Sequence, residues 1–493
     1  MTKLLAARAS AWTALGNSGQ QILSFLIFVY LARVLSPAEF GLMALAAALI
    51  DLLTVFGRFG QVEALMQRGE VGEAPCSTSF WLIVAIGALL LLGVLALARP
   101  FADIFGEPEV ATLLFILAPV PLLQNLGQVH EAFMRSAFGY RGLAARNAGA
   151  TLISGAASVA VAAGGYGIYA LVAQKLIFAI AYSALVWASW RWRPSIAFDM
   201  AEARRLLKVG FDIVLANLLN MLNPRIVDLM VGWFLGVVTL GYLRIAWRIF
   251  DLAHQLVIQP VSAVSMTSLT RPGSGRPMLA PRLTRYLGTL ALVAIPAIAG
   301  MGLLADDVIR LAAGAQWGPS APMLALLAIA GAALPVNFLF PPAMVAADRT
   351  DLIGKLALLQ LVVTVVSMAI SVRFGIHVVL MVHVARVYLF AAINILVLRS
   401  ALGLGVPTVL GCLAPPVLSS VAMVAAVRLL EHDALRAVHP LVDIAAVCVL
   451  GAGVYGAVLL GGGVAGLWRD YLLDKIQLIR DIARPASVRP GGE

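Results

Sequence analysis

The sequence predicts an all-α integral membrane protein with about 14 transmembrane helices. Three observations predict this class. The 493 residues are 61% hydrophobic and only 12% charged, whereas about 25% of the residues in a soluble domain are charged. Apolar runs of about 20 residues, the length of a spanning helix, follow one another along the chain. These runs lack the alternation of barrel strands, so helices are the structures that satisfy the backbone in lipid. A large soluble enzyme, a disordered chain and a coiled coil are excluded.

The candidate spans succeed one another without a loop long enough for a soluble domain. Their bounds are about 12–33, 38–60, 77–98, 110–134, 145–165, 168–190, 209–232, 238–262, 285–304, 320–345, 352–373, 376–398, 407–430 and 438–461. Proline removes a helical hydrogen bond. The fourth span, with Pro119 and Pro121, and the tenth, with Pro335, Pro341 and Pro342, are therefore expected to kink or break.

Lysine and arginine in the loops indicate the orientation, because cytoplasmic loops carry an excess of both. With the N-terminus in the cytoplasm, the inside loops hold 24 of the 35 basic residues. The outside loops hold six, which are Arg33, Arg99, Arg310, Arg373, Arg428 and Arg436. The pattern predicts that both termini are cytoplasmic. It also accounts for most of the net charge of +10 without nucleic acid as a partner.

Two parts of the chain resemble each other at an offset of 200 residues. Seven positions coincide between 10–55 and 210–255, among them Asn17/Asn217, Gly41/Gly241 and Asp51/Asp251. Both copies start from the same side of the membrane, so the predicted repeat is parallel, with a pseudo-twofold relation between two six-helix bundles. The predicted domains are an N-terminal lobe, a basic cytoplasmic linker, a C-terminal lobe, two additional helices and an amphipathic or solvated cytoplasmic tail, at 1–190, 191–208, 209–398, 399–466 and 467–493.

Charged side chains inside spans are the candidate functional residues, because each is costly in the bilayer. In the eighth span, Arg244, Arg248, Asp251 and Gln255 share one helical face. This face predicts a water-filled cavity lined mainly by spans 1, 2, 7 and 8. Arginine binds phosphate through two parallel hydrogen bonds, and amides bond sugar hydroxyls as donors and acceptors. The predicted substrate is therefore a large amphiphilic anion that carries phosphate and sugars.

The candidate residues fall into three groups. The phosphate-binding candidates are Arg225, Arg244 and Arg248, the sugar-binding candidates are Asn17, Gln20, Asn217, Asn220 and Gln255, and the ion-coupling candidates are Asp51, Glu131 and Asp251. A structural interpretation stays open, since Arg248 and Asp251 are spaced to pair with each other, as are Arg225 and Asp228. Lys175 fits a cavity position or a structural ion pair equally well.

No cofactor, metal or catalytic residue is expected. The cysteines, Cys76, Cys412 and Cys448, form no CxxC motif, and the chain has no GxxxxGK[ST] motif for a nucleotide. An ion gradient or the membrane potential is therefore the expected driving force.

The stretch LARVLSPAEFGLMALA, residues 31–46, resembles bacterial polysaccharide flippases. Arg33, Leu35, Pro37, Phe40 and Gly41 stand at the places typical of that family, the O-antigen and exopolysaccharide repeat-unit transporters of the multidrug/oligosaccharidyl-lipid/polysaccharide exporter superfamily. The resemblance implies an inner-membrane protein whose two lobes form a V-shaped central cavity. It implies movement of undecaprenyl-diphosphate-linked oligosaccharide from the cytoplasmic to the periplasmic leaflet, with basic cavity residues on the diphosphate. Membrane lipid and polysaccharide polymerases are the further partners that it suggests.

Two alternative functions remain. An ion-coupled multidrug or organic-cation exporter of the same superfamily is compatible with Asp51 and Asp251. A membrane-embedded glycan polymerase or glycosyltransferase is the other, although the chain lacks the sizeable extramembrane loop that such an enzyme needs.

Overall fold

The computed structural model describes residues 19–58, 73–136, 140–269, 276–430 and 440–475. Every regular element within these ranges is a helix. Ten of the described helices are long and apolar enough to cross a membrane, or eleven if one bent pair counts as a single span. The predicted all-α, multi-pass architecture is therefore confirmed in its class. The count of 14 spans and the V-shaped cavity stay predictions.

The chain divides into two compact units, of which unit 1 comprises Met1–Ile245, Ala312–Trp317 and Ala357–Val379. Its helices are α1 (Gly19–Val34), α2 (Pro37–Arg58), α3 (Glu73–Phe105), α4 (Pro108–Leu117), α5 (Val120–Asn125), α6 (Gln128–Ser136), α7 (Tyr140–Ala163), α8 (Tyr169–Ser189) and the part of α9 (Met200–Leu269) up to Ile245. The predicted fourth span is broken into α4, α5 and α6. Pro119 and Pro121 stand at the start of α5, so the expected proline break is confirmed.

Unit 2 comprises Ala246–Leu311, Gly318–Leu356 and Leu380–Glu493. Besides the end of α9, its helices are α10 (Arg276–Leu303), α11 (Ala305–Ala313), α12 (Ser320–Ile329), α13 (Leu334–Ala346), the start of α14 (Thr350–Ser371), most of α15 (Ile376–Leu402), α16 (Val406–Leu430), α17 (Pro440–Val464) and a short tail helix at 469–475. The chain bends by 51° just before α13, and Pro335 is the second residue of this helix. Pro341 and Pro342 lie inside α13 without breaking it. The predicted lobe boundaries stay a prediction.

The chain reverses between α1 and α2 through a capping box. The backbone N–H of Ser36 donates to Glu39 Oε2 at 2.7 Å, and the Ser36 hydroxyl lies 3.4 Å from the Glu39 N–H. This reciprocal pair satisfies two of the backbone donors that a helix start leaves open. Pro37, the first residue of α2, has no N–H to satisfy. The SPAE sequence thus determines where the second span begins.

A second reversal lies at Gly236, inside α9. Gly236 has a φ of 81° and a ψ of 165°, a conformation that is essentially restricted to glycine. Arg244 Nη1 lies 3.1 Å from Asp228 Oδ2, although 16 residues of straight helix would separate them by about 24 Å. Residues 228 and 244 are each eight positions from Gly236, so the two arms of α9 form a tight helical hairpin.

The two hairpins of unit 1 cross at a pair of glycines. We call α1 with α2 the first hairpin, and the two arms of α9 as far as Ile245 the second hairpin. A Cβ atom built on Gly41 would lie 1.8 Å from the carbonyl oxygen of Val237, and one on Gly241 would lie 1.9 Å from that of Pro37. Only glycine permits such an approach of two helix backbones. Gly41 and Gly241, and likewise Pro37 and Val237, are positions 200 residues apart, so the two contacts are equivalent under the predicted repeat.

Trp317 covers the crossing from the segment Ala312–Trp317. Its side chain is fully buried, and its Nε1–H donates to the Ala32 carbonyl at 2.7 Å. The ring packs against Phe40 of the first hairpin and Tyr242 of the second, with centroids 5.2 and 5.9 Å away. A buried indole needs a hydrogen-bond partner, and the end of α1 supplies it.

Candidate functional site

Five charged side chains form one connected cluster within unit 1. Asp51 accepts from Lys175 Nζ through Oδ1 and from Arg225 Nη2 through Oδ2, both at 2.6 Å. Arg225 Nη1 reaches Asp228 Oδ2 at 3.1 Å, and Arg244 Nη1 reaches the same oxygen at 3.1 Å. We call these residues the charge cluster. It joins α2, α8 and both arms of α9.

The charge cluster is largely shielded from solvent. The side chain of Asp228 is 3% exposed and that of Arg225 is 15% exposed, whereas Arg244 is 32% exposed. Arg225 Nε is buried and has no hydrogen-bond partner among the described residues. With three cations and two carboxylates, the cluster carries a net charge of +1.

The helix geometry places the charge cluster deep in the predicted spans. Asp51 lies ten residues beyond Gly41 along α2, and Arg225 lies 11 residues before Gly236 along α9. At 1.5 Å per residue, the distance from Asp51 to the crossing at Gly41 and the distance from Arg225 to the reversal at Gly236 are each about 15–17 Å. This is half the thickness of a bilayer core of about 30 Å. Cations at such a depth are retained where they bind an ion, a substrate or each other.

The structure brings together three predicted residues from two of the proposed groups. Arg225 and Arg244 were predicted as phosphate ligands and Asp51 as an ion carrier, and all three belong to the charge cluster. Arg225 and Asp228 pair with each other, as the structural interpretation expected. Lys175 forms an ion pair with Asp51, and through this carboxylate it belongs to the charge cluster.

The remaining candidates for binding phosphate, sugar or an ion do not belong to the charge cluster as defined above, and some of them lie outside the described residues. Arg248, Asp251 and Gln255 belong to unit 2, where Asp251 is exposed and Gln255 is half-buried with a buried Oε1 that has no partner among the described residues. Gln20 is half-buried in α1. Asn17 and the side chains of Asn217 and Asn220 lie outside the described residues.

Glu131 lies in a separate cluster on α6. It accepts from Arg135 Nε at 2.9 Å and from the Tyr182 hydroxyl at 3.1 Å. Its side chain is 20% exposed. Glu131 is thus held by its own basic and phenolic partners, which lie on α6 and α8.

Sequence reasoning did not place Asp228 among the binding residues, and it left Lys175 between a cavity position and a structural ion pair. Both were visible as intramembrane charges, but Lys175 is 124 residues from Asp51 and Arg225 is 174 residues from it. A spacing of three or four residues along one helix cannot predict ion pairs between residues so far apart in the sequence. The signal that was available is the excess of intramembrane cations over nearby acids, which predicts that each acid serves more than one cation.

The fold of the chain is similar to the folds of solved transporter structures. It aligns with the structure titled lipid II flippase MurJ, inward closed conformation, with a TM-score of 0.76 and 14% identity, covering 96% of this chain and 99% of the other. It also aligns with an inward-facing multidrug resistance MATE transporter of the MOP superfamily, with a TM-score of 0.60 and 15% identity over 78% and 94% of the two chains. These likenesses show a shared fold.

The family of the chain follows from its sequence. Residues 30–322 match the model of the polysaccharide biosynthesis protein family, and the chain belongs to this family. A curated relative, the succinoglycan biosynthesis transport protein ExoT of Rhizobium meliloti (strain 1021), is 25% identical over 97% of each chain. The predicted resemblance to polysaccharide transporters is confirmed.

Proposed function

We propose that the protein is a flippase for lipid-linked oligosaccharide repeat units in cell-surface polysaccharide biosynthesis. The family, the succinoglycan transport relative and the fold shared with a lipid II flippase all support this function. The substrate would be an undecaprenyl-diphosphate-linked glycan, moved from the cytoplasmic to the periplasmic leaflet of the bacterial inner membrane. Membrane lipid is its environment, and a polysaccharide polymerase is the partner that would consume its product.

The single observation that carries the proposal is the charge cluster. An unpaired diphosphate cannot enter hydrocarbon, because burying an isolated charge costs many kcal/mol. Lys175, Arg225 and Arg244 supply three cations, and the two guanidinium groups present donors in the fork geometry that phosphate oxygens match. The net positive charge suits an anionic substrate better than an organic cation. The multidrug alternative is therefore less well supported.

The two carboxylates give the cluster a way to exchange its anion. In the structure, Asp51 and Asp228 form ion pairs with the guanidinium group of Arg225, which a diphosphate would also need to bind. We infer that the incoming diphosphate competes with Asp51 for Arg225 and Lys175. A displaced Asp51 would then bind a proton or a cation, which couples substrate binding to an ion gradient. Alternating access of the cluster to the two membrane faces, with both termini cytoplasmic, completes the proposed cycle.

The experiment deletes the gene in its host and follows lipid-linked repeat units. Deletion is expected to stop surface polysaccharide and to accumulate these units in the cytoplasmic leaflet. Wild-type protein should restore export, whereas Arg225→Gln should reduce it by about 100-fold or more, since one charge-assisted phosphate contact is worth about 1.5–3 kcal/mol and the cluster loses its bridging cation as well.

A matched control is Arg310→Gln. Arg310 is 57% exposed and pairs with Asp306 at 2.8 Å, so its loss removes an arginine without touching the cluster. Membrane abundance of each variant is measured by quantitative immunoblot. Normal export by an abundant Arg225→Gln protein would contradict the proposed role of the cluster. Extrusion of organic cations that depends on Asp51 would favour the multidrug alternative.

A further inference from the structure

Unit 2 contains a polar cavity that the charge cluster does not share. Its volume is about 540 Å³, and it lies between the beginnings of α10 and α16 and the tail helix at 469–475. The polar side chains that line it are Thr284, Arg285, Thr408, Tyr471, Asp474 and Lys475. Its other walls are small or apolar, such as Pro281 and Leu404. The lining therefore combines cations and hydroxyls with an apolar surface.

The tail helix forms one wall of the cavity and is held against α10 by specific hydrogen bonds. The Tyr471 hydroxyl donates to the Gly288 carbonyl at 2.8 Å, and Lys475 Nζ donates to the Arg285 carbonyl at 2.9 Å. The Lys475 side chain is only 6% exposed. A lysine that deeply buried is retained where its charge has a function or a partner.

The charges of the cavity sum to +1. Asp474 accepts from Lys475 Nζ at 2.7 Å and lies 3.3 Å from Arg285 Nε. One carboxylate thus serves two cations. Arg285 and Asp474 are 37% and 42% exposed, so this ion pair is open to an incoming ligand while Lys475 stays covered.

Two helix beginnings add to the positive potential. Cys412 of α16 contacts the Thr284 carbonyl of α10 at 3.8 Å, and both residues lie within three turns of the start of their helix. The two helices therefore begin at the same end of the unit. The N-terminal end of a helix carries a partial positive charge that attracts anions. The hydroxyls of Thr284 and Thr408 provide neutral polar groups beside it.

We infer that this cavity binds the phosphate head group of an anionic lipid. A phosphate matches the two cations, the helix ends and the hydroxyls, and the apolar walls match the beginning of acyl or prenyl chains. The cavity lies at the beginnings of two apolar helices and is lined by Tyr471, a residue type that concentrates at the lipid–water interface. The phosphate has two sources in the membrane: an anionic phospholipid or a prenyl diphosphate.

The experiment measures lipid binding to the purified full-length protein by native mass spectrometry. The probes are phosphatidylglycerol, the zwitterionic phosphatidylcholine and undecaprenyl diphosphate. Phosphatidylglycerol is expected to bind more tightly than phosphatidylcholine. Arg285→Gln should weaken this binding about tenfold, the loss of one charge-assisted contact. Arg282→Gln is the matched control, because Arg282 lies on the same helix but does not line the cavity.

The outcomes separate the two sources and can overturn the site. Tighter Arg285-dependent binding of undecaprenyl diphosphate than of phosphatidylglycerol identifies the prenyl lipid as the source, and the reverse identifies the phospholipid. Equal binding of phosphatidylglycerol and phosphatidylcholine, or equal effects of the Arg285 and Arg282 variants, overturns the inference. Lys475→Gln gives a second test, with limited proteolysis of the tail to show whether the helix stays docked. Because the readout is binding, its failure leaves the proposed flippase function untouched.

Discussion

The first and second hairpins of unit 1 share a backbone contact and differ in their polar side chains. Gly41 and Gly241 occupy equivalent positions and make the same close approach to the opposite hairpin. The reversals next to them use different chemistry, a capping box at Ser36 and a left-handed glycine at Gly236. Both solutions start the next helix at the same place in the repeat.

The charges distinguish the two copies more sharply. Positions 25, 28, 44 and 48 are Phe25, Phe28, Ala44 and Ala48 in the first copy, and their counterparts are Arg225, Asp228, Arg244 and Arg248. Asp51 and Asp251 are alike in sequence, but only Asp51 belongs to the charge cluster, whereas Asp251 is exposed. The comparison teaches that the repeat maintains the backbone crossing, while the second copy supplies most of the chemistry.

The largest expected effect comes from removing the ring that both hairpins contact. Trp317→Ala should destabilise the protein by about 3–5 kcal/mol, since a fully buried aromatic ring leaves a large cavity. Trp317→Phe keeps most of the packing but loses the hydrogen bond to Ala32, and about 1–2 kcal/mol is expected for it. Thermal unfolding of the purified protein measures both. Similar unfolding temperatures for the two variants would show that packing between the hairpins contributes little.

The equivalence of the two glycines is tested by Gly41→Ala and Gly241→Ala. Each added Cβ would meet a backbone carbonyl that cannot rotate away, so each should cost about 2–3 kcal/mol. Gly93→Ala is the control, because a Cβ on Gly93, inside α3, meets nothing within 4 Å. That variant should stabilise by about 0.5–1 kcal/mol. Thermal shifts of opposite sign are therefore expected, and a stable Gly41→Ala protein would refute the crossing.

Arg244→Ala converts one position of the second hairpin to its counterpart, Ala44. Asp228 keeps its contact with Arg225, so the stability loss should stay near 1–2 kcal/mol, below the 3–5 kcal/mol of a fully broken buried pair. Export of lipid-linked units should nevertheless fall about tenfold, because a phosphate contact is lost. Comparing unfolding with export separates the two roles. A protein that loses stability but exports normally would make Arg244 structural.

The two reversals are expected to differ in their contribution to stability, and the smallest effect of all is expected at Ser36. Gly236→Ala should cost about 1–3 kcal/mol, because its φ and ψ are accessible essentially to glycine alone. Ser36→Ala should cost about 1 kcal/mol, the usual contribution of a helix cap. Both are read from unfolding midpoints. A larger loss of stability in Ser36→Ala than in Gly236→Ala would contradict this account of how the chain turns at the two positions.

The sequence was sufficient for the class and for much of the local structure. Apolar runs predicted the helices, and Pro119 and Pro121 predicted the broken fourth span. The Gly41/Gly241 match predicted a parallel repeat, and the two hairpins cross at these equivalent positions. These features depend on neighbouring residues or on periodicity. They can therefore be read from the chain without knowledge of distant contacts.

The hydrogen-bond partners of distant residues could not be predicted from the sequence in the same way. Asp51 bonds residues 124 and 174 positions away, and Trp317 reaches back 285 positions to Ala32. The cavity beside Lys475 depends on the tail helix lying against α10, 190 positions earlier. Such contacts follow from how the helices pack, and the hydropathy pattern contains no information about which faces meet.

The reciprocal crossing has the geometry of an isologous interface between two identical subunits. In a symmetric dimer, residue i of one subunit touches residue j of the other, and j touches i in return. Here Gly41 meets Val237 and Gly241 meets Pro37 within one polypeptide. Under the predicted repeat, one polypeptide thus contains within itself the contact that two identical subunits would make with each other.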